Sequence, residues 1–216
     1  MFNTIFPKIH KEGYKFVAIS ILATFLVLFF SKFLGSLLII ITIWVYYFFR
    51  DPERYSINDD NYLVSPADGL ITDISERSGP EELRLENTTY TRVSIFMNVF
   101  NCHVNRTPTT GKVEEIYYKP GKFLNASLDK ASEENERNYF KIKTNKNDEE
   151  IIIIQIAGLI ARRIVCEVEQ GQDLKQGERI GMIRFGSRVD IYFKNKKVLA
   201  KLGQNVVSGE SLIASE

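Results

Sequence analysis

Few side chains in this 216-residue sequence are equipped for catalysis, and one histidine stands out among them. The histidines are His10 and His103, and His10 precedes a strongly apolar stretch, so His103 is the imidazole suited to act as a general base. Two histidines so far apart cannot build a multi-histidine metal site, and we expect no metal. A hydrogen-bonded core histidine is the alternative role for His103.

A serine that follows a glycine is the second candidate group. Ser187 comes directly after Gly186 and stands between two strand-like runs, where a Gly-Ser pair ordinarily forms a turn. Cys102 beside His103 raises a Cys-His nucleophile as another reading, but adjacent residues on a strand point to opposite faces. The sequence contains no Gly-rich phosphate loop, Cys-x-x-Cys, His-Glu-x-x-His or Gly-x-Ser-x-Gly motif. Taken alone, these residues leave the chemistry open.

The first 50 residues read as a membrane anchor. Residues 16–30 and 33–49 carry almost no polar side chains. At ~1.5 Å per residue each run falls a little short of the ~30 Å hydrocarbon core, so two spans, a shallow hairpin and one tilted helix are all compatible, and a hairpin is preferred. Basic residues on both flanks predict that both lie on the cytoplasmic side. A cleaved signal peptide is the alternative, but a small-residue cleavage site is lacking.

Residues 51–216 change to short β-rich runs separated by turn residues, which predicts a mostly β (α+β) domain. Residues 151–154 are four consecutive isoleucines, typical of a strand buried on both faces. Residues 123–138 read as helical or irregular. The predicted strands are 63–64, 70–74, 91–99, 111–118, 151–157, 163–168, 179–183, 189–193 and 212–214.

A glycine pattern occurs twice near the C-terminus. Residues 171–180 and 203–212 read GQDLKQGERI and GQNVVSGESL, with glycine at the same two places. Glycine permits the positive φ of tight turns, and the intervening Leu174 or Val206 can point inward. The pattern is similar to turns of biotinyl and lipoyl carrier barrels, which predicts a duplicated barrel-sandwich-hybrid-like domain. Chance repetition of turn chemistry is the alternative.

Five blocks follow one another along the chain: FFRDPER at 48–54, SPADG at 65–69, NCHVNRTP at 101–108, FLNASLDKASEENERN at 123–138 and RFGSRVD at 184–190. Together they resemble the short bacterial (type A) class of the pyruvoyl-dependent phosphatidylserine decarboxylase family. The resemblance runs from end to end. It implies a carboxy-lyase that releases CO2 from phosphatidylserine and yields phosphatidylethanolamine.

The resemblance also implies that the chain makes its own cofactor. Loss of CO2 from an amino acid leaves electrons on the α-carbon, so an electron sink is needed. In the family, the serine hydroxyl attacks the preceding glycine carbonyl, and the resulting ester leads to a pyruvoyl group that forms an imine with the substrate amine. Carried over, Ser187 becomes the pyruvoyl group after self-cleavage between Gly186 and Ser187. The resulting chains, 1–186 and 187–216, are expected to stay associated.

The family's Asp-His-Ser arrangement carries over to three residues of this chain. Asp68 would orient and charge His103, and His103 would deprotonate Ser187. An Asp-Gly turn between strands is the alternative for Asp68. Longer relatives carry His-x-x-His where this chain has His103 and then Arg106. Whether His103 alone serves both processing and decarboxylation therefore stays open.

Three arginines are candidates for holding the substrate phosphate or carboxylate, since guanidinium groups match both geometries. They are Arg106, Arg137 and Arg188, and solvated surface charge is the alternative role for each. The expected partner is a membrane phospholipid, met at the cytoplasmic side of the cell membrane, and a homo-oligomer stays open. A formal net charge of +1 lacks the basic excess of nucleic-acid binding, so no nucleic acid is expected.

Two other functions compete with this one. A membrane-tethered carrier module would need a lysine beside methionine at a hairpin tip, but the Asp68-Gly69 turn has no lysine and Lys175 has no flanking methionine. The same pyruvoyl chemistry could also act on an ether-linked phosphoserine lipid or another membrane-bound serine ester.

Overall fold

A computed structural model describes residues 7–124, 133–159, 163–184 and 187–216. The chain divides into two compact units, Met1–Glu53 and Arg54–Glu216. Gly186, on one side of the expected cleavage site, lies outside the described residues, as do positions 125–132 of the fourth family-like block.

The first unit is a helical hairpin. A short 3-10 turn, Lys11–Gly13, leads into α1, Tyr14–Phe30, which is followed by α2, Lys32–Phe48. Ser31 lies between the helices with an extended backbone, at φ −148° and ψ 113°. Its hydroxyl accepts a hydrogen bond from the backbone N of Leu34, which caps the start of α2. The two apolar runs therefore form a helix pair, as predicted, and a single continuous helix is not formed; the choice between a shallow hairpin and two spans stays a prediction.

The hairpin is apolar on its surface and pairs polar groups inside. The hydroxyls of Thr24 and Thr42, one on each helix, lie 2.8 Å apart. Phe29 and Phe30 are 85% and 84% exposed, an arrangement that is unfavourable in water. The helical stretch Lys11–Phe30 contains an 18-residue window with a mean hydropathy of 2.0 and is long and apolar enough to cross a membrane, whereas α2 is shorter. The hairpin is thus suited to membrane association.

The second unit forms three antiparallel sheets in the described part of the chain. The large sheet contains, in spatial order, β13 (Asn205–Val206), β2 (Gly69–Ser78), β3 (Thr89–Met97), β11 (Ser187–Phe193), β7 (Glu150–Ala157), β6 (Arg137–Thr144), β5 (Gly111–Lys119) and β9 (Asp173–Leu174). The two smaller sheets have the orders β1 (Tyr62–Val64), β14 (Leu212–Ser215), β12 (Lys197–Val198), and β4 (Val104–Arg106), β10 (Arg179–Arg184), β8 (Arg163–Cys166). The mostly β prediction is confirmed.

The large sheet is buried on both faces at its centre. On the inner face, Ile151 and Ile153 of β7 join a core that also takes in residues of both smaller sheets. On the outer face, Ile152 and Ile154 join a second cluster with Tyr139. The run of four isoleucines was therefore correctly interpreted as a strand buried on both sides.

One prediction was wrong at its end. The segment 123–138 was expected to be helical or irregular, yet β6 begins at Arg137. Asn138 is buried at this point, where its side chain bonds to Gln155 on β7. Pairing with β7 therefore brings Arg137 and Asn138 into the strand, although neither residue is apolar.

The two copies of the glycine pattern fold alike. The backbone N–H groups of Gly171 and Gly203 donate to the carbonyls of Val113 and Ile71, at 2.7 and 2.9 Å. The short strands that follow, β9 and β13, then pair with β5 and β2. The four glycines of the pattern have φ between 77° and 87°, a region that favours glycine. The duplicated architecture predicted from the repeat is confirmed.

Candidate functional site

Ser187 is the first residue of β11 and lies between two neighbouring strands. Its Cα pairs with Met97 on β3 and with Ala157 on β7. Because side chains alternate along a strand, Ser187 points to the same inner face as Val189 and Ile191, which belong to the core. Ser187 is fully buried, and its Oγ has no hydrogen-bond partner among the described residues. Such a hydroxyl costs about 1–3 kcal/mol, a cost that an exposed turn serine does not carry.

His103 is also fully buried, and it directly precedes β4. Its carbonyl accepts a hydrogen bond from the backbone N of Ile183 at 3.3 Å, which extends the pairing of β4 with β10. Residues 103 and 105 therefore face the same side. On that side, Nδ2 of Asn105 lies 3.6 Å from Sδ of Met97, the direct neighbour of Ser187. This side of β4 faces the space around Ser187.

The hydrogen bonding of His103 defines its tautomer. Its Nδ1 lies 3.0 Å from the carbonyl oxygen of Asn101. A carbonyl oxygen can only accept, so Nδ1 carries a proton, and in a neutral ring the lone pair is then on Nε2. A neutral imidazole in this tautomer can receive a proton at Nε2, as a general base must.

Asp68 lies in the turn before β2, and its carboxylate accepts hydrogen bonds from two groups within the part of the chain that the structure describes. Oδ2 accepts a hydrogen bond from Nη2 of Arg54 at 2.8 Å, and Oδ1 accepts one from the backbone N of Ser208 at 2.8 Å. The next residue, Gly69, passes so close to Phe96 that a Cβ would lie 2.3 Å from its carbonyl oxygen. The interaction of Asp68 with His103 stays a prediction.

The repeat provides an internal comparison for Asp68. In the other copy, the equivalent position before β5 is Thr110, whose hydroxyl accepts a hydrogen bond from the backbone N of Gln176 at 3.3 Å. A hydroxyl is therefore sufficient for this turn. The carboxylate of Asp68 adds a charge that the turn itself does not require.

Comparison with known proteins identifies the family. A family model described as phosphatidylserine decarboxylase matches residues 41–214. The chain is 64% identical over 216 residues to the phosphatidylserine decarboxylase proenzyme of Pelagibacter ubique (strain HTCC1062), with 100% of each chain covered. It is 50% identical over 214 residues to the proenzymes of Rickettsia akari and Rickettsia typhi, covering 99% of this chain and 92% of theirs.

The chain belongs to the phosphatidylserine decarboxylase family. Members of this family are carboxy-lyases that decarboxylate phosphatidylserine, a lipid whose headgroup carries a phosphate, a carboxylate and an amine. The three candidate arginines can therefore be compared with the demands of that headgroup.

Two of the arginines lie together on the outer face of the large sheet. Arg137 on β6 and Arg188 on β11 both pair with Ile156 on β7, so they flank it on one face. They line a cavity of about 390 Å³, and the other lining residues are Arg77, Ser78, Arg92, Glu133, Asp190 and Tyr192. Arg188 forms an ion pair with Asp190 at 2.9 Å. Burial, and then the charge of Asp190, raise the pKa of Tyr192 to about 12, so this phenol stays neutral.

Arg106 lies elsewhere. Its Nη1 donates to the carbonyl oxygen of Gly177 at 2.9 Å, and it lines a second cavity of about 320 Å³ together with Arg54. The structure thus brings together Arg137 and Arg188, and it separates Arg106 from them. Arg188 and Ser187 point to opposite faces of β11, and a substrate-binding role for the arginines stays a prediction.

Sequence reasoning passed over a group of buried amides close to Ser187. Asn105, Gln155 and Asn138 are each at most 1% exposed and are hydrogen-bonded to one another. A signal was present, since Gln155 interrupts an otherwise apolar run between Ile154 and Ile156. An uncharged polar residue inside such a run is buried with a partner or exposed by a break in the strand.

Proposed function

We propose that this chain is a self-processing phosphatidylserine decarboxylase that yields phosphatidylethanolamine. The observation that carries the proposal is Ser187, a fully buried serine whose Oγ has no hydrogen-bond partner among the described residues. It lies on the face of the large sheet toward which β4 directs Asn105, and His103 belongs to the same side of β4. Family membership supplies the reaction to which such a serine is suited.

Processing would begin with proton transfer from Ser187 to Nε2 of His103. Oγ then attacks the carbonyl carbon of Gly186, the peptide C–N bond breaks, and the released nitrogen takes up a proton, which leaves an ester. Loss of the Cα proton and cleavage of the Cβ–Oγ bond release Gly186 as a carboxylate. Hydrolysis of the resulting dehydroalanine releases ammonia and leaves a ketone at position 187. Asp68 is proposed to charge and orient His103 during these steps.

The second chain, 187–216, would remain bound after cleavage because it contributes strands to two sheets. Its β11 lies between β3 and β7 of the first chain, with pairings along Ser187–Phe193. Its β13 pairs with β2, and its β14 pairs with β1. Antiparallel pairs on both sides of β11, together with Ile191 in the core, support a stable two-chain enzyme.

The ketone would supply the electron sink that decarboxylation of the substrate requires. The chain's own residues fit such a group, because position 187 is buried between Met97 and Ala157. His103 is proposed to hold and return a proton on this side of the sheet. Arg137 and Arg188, or Arg106, are proposed to hold the anionic groups of the lipid.

The N-terminal anchor suits a substrate that stays in the bilayer. We propose that residues 1–50 hold the β-rich domain, 51–216, at the cytoplasmic face of the cell membrane. Lysines before α1 and arginines after α2 support that orientation by the positive-inside rule.

The test compares Ser187→Ala with a matched variant, Ser94→Ala, in phosphatidylserine vesicles. Ser94 is likewise a buried serine whose Oγ has no hydrogen-bond partner among the described residues, on the neighbouring strand β3. We expect Ser187→Ala to stay uncut and form no phosphatidylethanolamine, and Ser94→Ala to be cut and active. Cleavage and product formation by Ser187→Ala would show that the cofactor arises elsewhere. Vesicles of an ether-linked phosphoserine lipid, assayed in parallel, separate headgroup recognition from tail recognition.

A further inference from the structure

Three buried amides form a continuous hydrogen-bonded chain that ends beside Ser187. Nδ2 of Asn138 donates to Oε1 of Gln155 at 3.2 Å, and Nε2 of Gln155 donates to Oδ1 of Asn105 at 2.8 Å. Nδ2 of Asn105 then lies 3.6 Å from Sδ of Met97. The three amides are at most 1% exposed. Burying polar groups is costly, and a leucine at any of these positions would fill similar space at lower cost.

The direction of this amide chain is determined at its end. A thioether sulfur has no proton to donate, so the amide nitrogen of Asn105 must face Met97. Its oxygen must then face Gln155, and the same logic orients Asn138. Each amide nitrogen carries two hydrogens, and among the described residues Asn105 and Gln155 each use one of them. The hydrogen-bonded row of amides therefore directs its N–H donors from Asn138 toward Asn105 and Met97.

Ser187 lies at that end. Met97 is directly opposite Ser187, at a typical Cβ separation of about 5 Å, and Gln155 is diagonal to it through Ala157, at about 7–8 Å. The side chains of Met97, Ser187 and Ala157 share the inner face. A buried hydroxyl that has no partner among the described residues thus lies next to amide donors with a hydrogen to spare.

We propose that Asn105 donates a hydrogen bond to Oγ of Ser187 during self-processing, and that Gln155, which bonds directly to Asn105, is the positioning residue that orients it. The inference rests on the proposed function. A donor at Oγ does not assist nucleophilic attack, because it withdraws electron density from the attacking oxygen. It assists the later elimination, in which the Cα proton is lost, the Cβ–Oγ bond breaks and Oγ departs with the electron pair as part of the Gly186 carboxylate.

The experiment uses the full chain with Asn105→Leu, which keeps the approximate shape and removes the donor. Because a hydrogen bond to a charged group contributes about 1.5–3 kcal/mol, processing should slow by about 10- to 100-fold. The uncut population should accumulate as ester. Neutral hydroxylamine should therefore cleave it at position 187 and release a fragment with an amino-terminal serine. Asn105→Asp, which keeps the shape and substitutes an acceptor, should show the same block if Asn105→Leu does not fold.

The matched control is Asn138→Leu, the same change at the far end of the amide chain, and it should be processed much faster than Asn105→Leu. Wild-type processing rates in both Asn105 variants would overturn the proposal, as would an uncut chain that resists hydroxylamine, because the block would then precede the ester. If Asn138→Leu slowed processing as much as Asn105→Leu does, the loss in both variants would come from disturbed packing and not from a lost donor at Oγ of Ser187. By contrast, a wild-type chain that is never cut would contradict the proposed function itself, whatever the variants do.

Discussion

The ion pair between Arg54 and Asp68 allows a quantitative test of what Asp68 does. The two side chains are 16% and 11% exposed, and Nη2 and Oδ2 lie 2.8 Å apart. Removing Asp68 leaves Arg54 with Glu210, whose Oε2 is 3.8 Å from Nη1. Because a charge-assisted hydrogen bond contributes about 1.5–3 kcal/mol, we expect a coupling free energy of about 2 kcal/mol between the two residues.

The perturbations are Arg54→Met, Asp68→Thr and the double variant, all in a Ser187→Ala background in which we expect the chain to stay uncut. Asp68→Thr imitates Thr110 in the other copy of the repeat, so the bond from the backbone N of Ser208 can be retained. Unfolding by guanidinium should be followed by circular dichroism of the β-rich unit, since the single tryptophan, Trp44, lies in α2.

Each single variant should have a lower free energy of unfolding than the parent. The decrease in the double variant should be about 2 kcal/mol smaller than the sum of the two single decreases. A coupling below about 0.5 kcal/mol would refute the ion pair as a stabilising contact. In the chain with Ser187 restored, Arg54→Met should still be processed, whereas Asp68→Thr should be processed far more slowly. If the two variants were processed at the same rate, Asp68 would have no role in processing beyond its ion pair with Arg54.

Three further predictions follow from the site, the core and the anchor. His103→Ala should slow processing by at least about 100-fold on gels, as loss of a general base does, and normal cleavage would assign proton removal to another group. Ile191→Ala, at a fully buried position, should lower the free energy of unfolding by about 2–5 kcal/mol, whereas Leu70→Ala, at a position 39% exposed, should change it by under about 1 kcal/mol. The full chain should stay in the membrane pellet at about 1 M salt, where charge attraction is screened within about 3 Å; release into the supernatant would contradict apolar anchoring.

Much of the fold could be predicted because its signals are local. The two apolar runs indicate the helical hairpin, and the four isoleucines of β7 indicate a strand covered on both faces. The repeated glycines mark turns that need positive φ, and those turns recur with the same backbone bonds. β6 was missing from the predicted strands, because Asn138 and the charged residues around it resemble a loop until its partner strand is known.

The candidate site was less predictable because it depends on strand register. Gln155 and Asn105 are 50 residues apart in sequence, and only the packing of β4 against the large sheet joins them. Likewise, the proximity of Arg137 to Arg188 follows from both residues pairing with Ile156. The resemblance to a family named the reactive serine, but it gave no reason to look for amides beside that serine.

The central claim is that Ser187 becomes the cofactor, and intact-mass analysis of the purified wild-type chain tests it most directly. The account predicts two chains that copurify, the smaller one having 216 − 186 = 30 residues, from position 187 to Glu216. This smaller chain should be lighter, by the mass of one ammonia, than the same peptide with an amino-terminal serine. A single uncut chain that nevertheless decarboxylates phosphatidylserine, or a small chain that retains the serine amine, would contradict it.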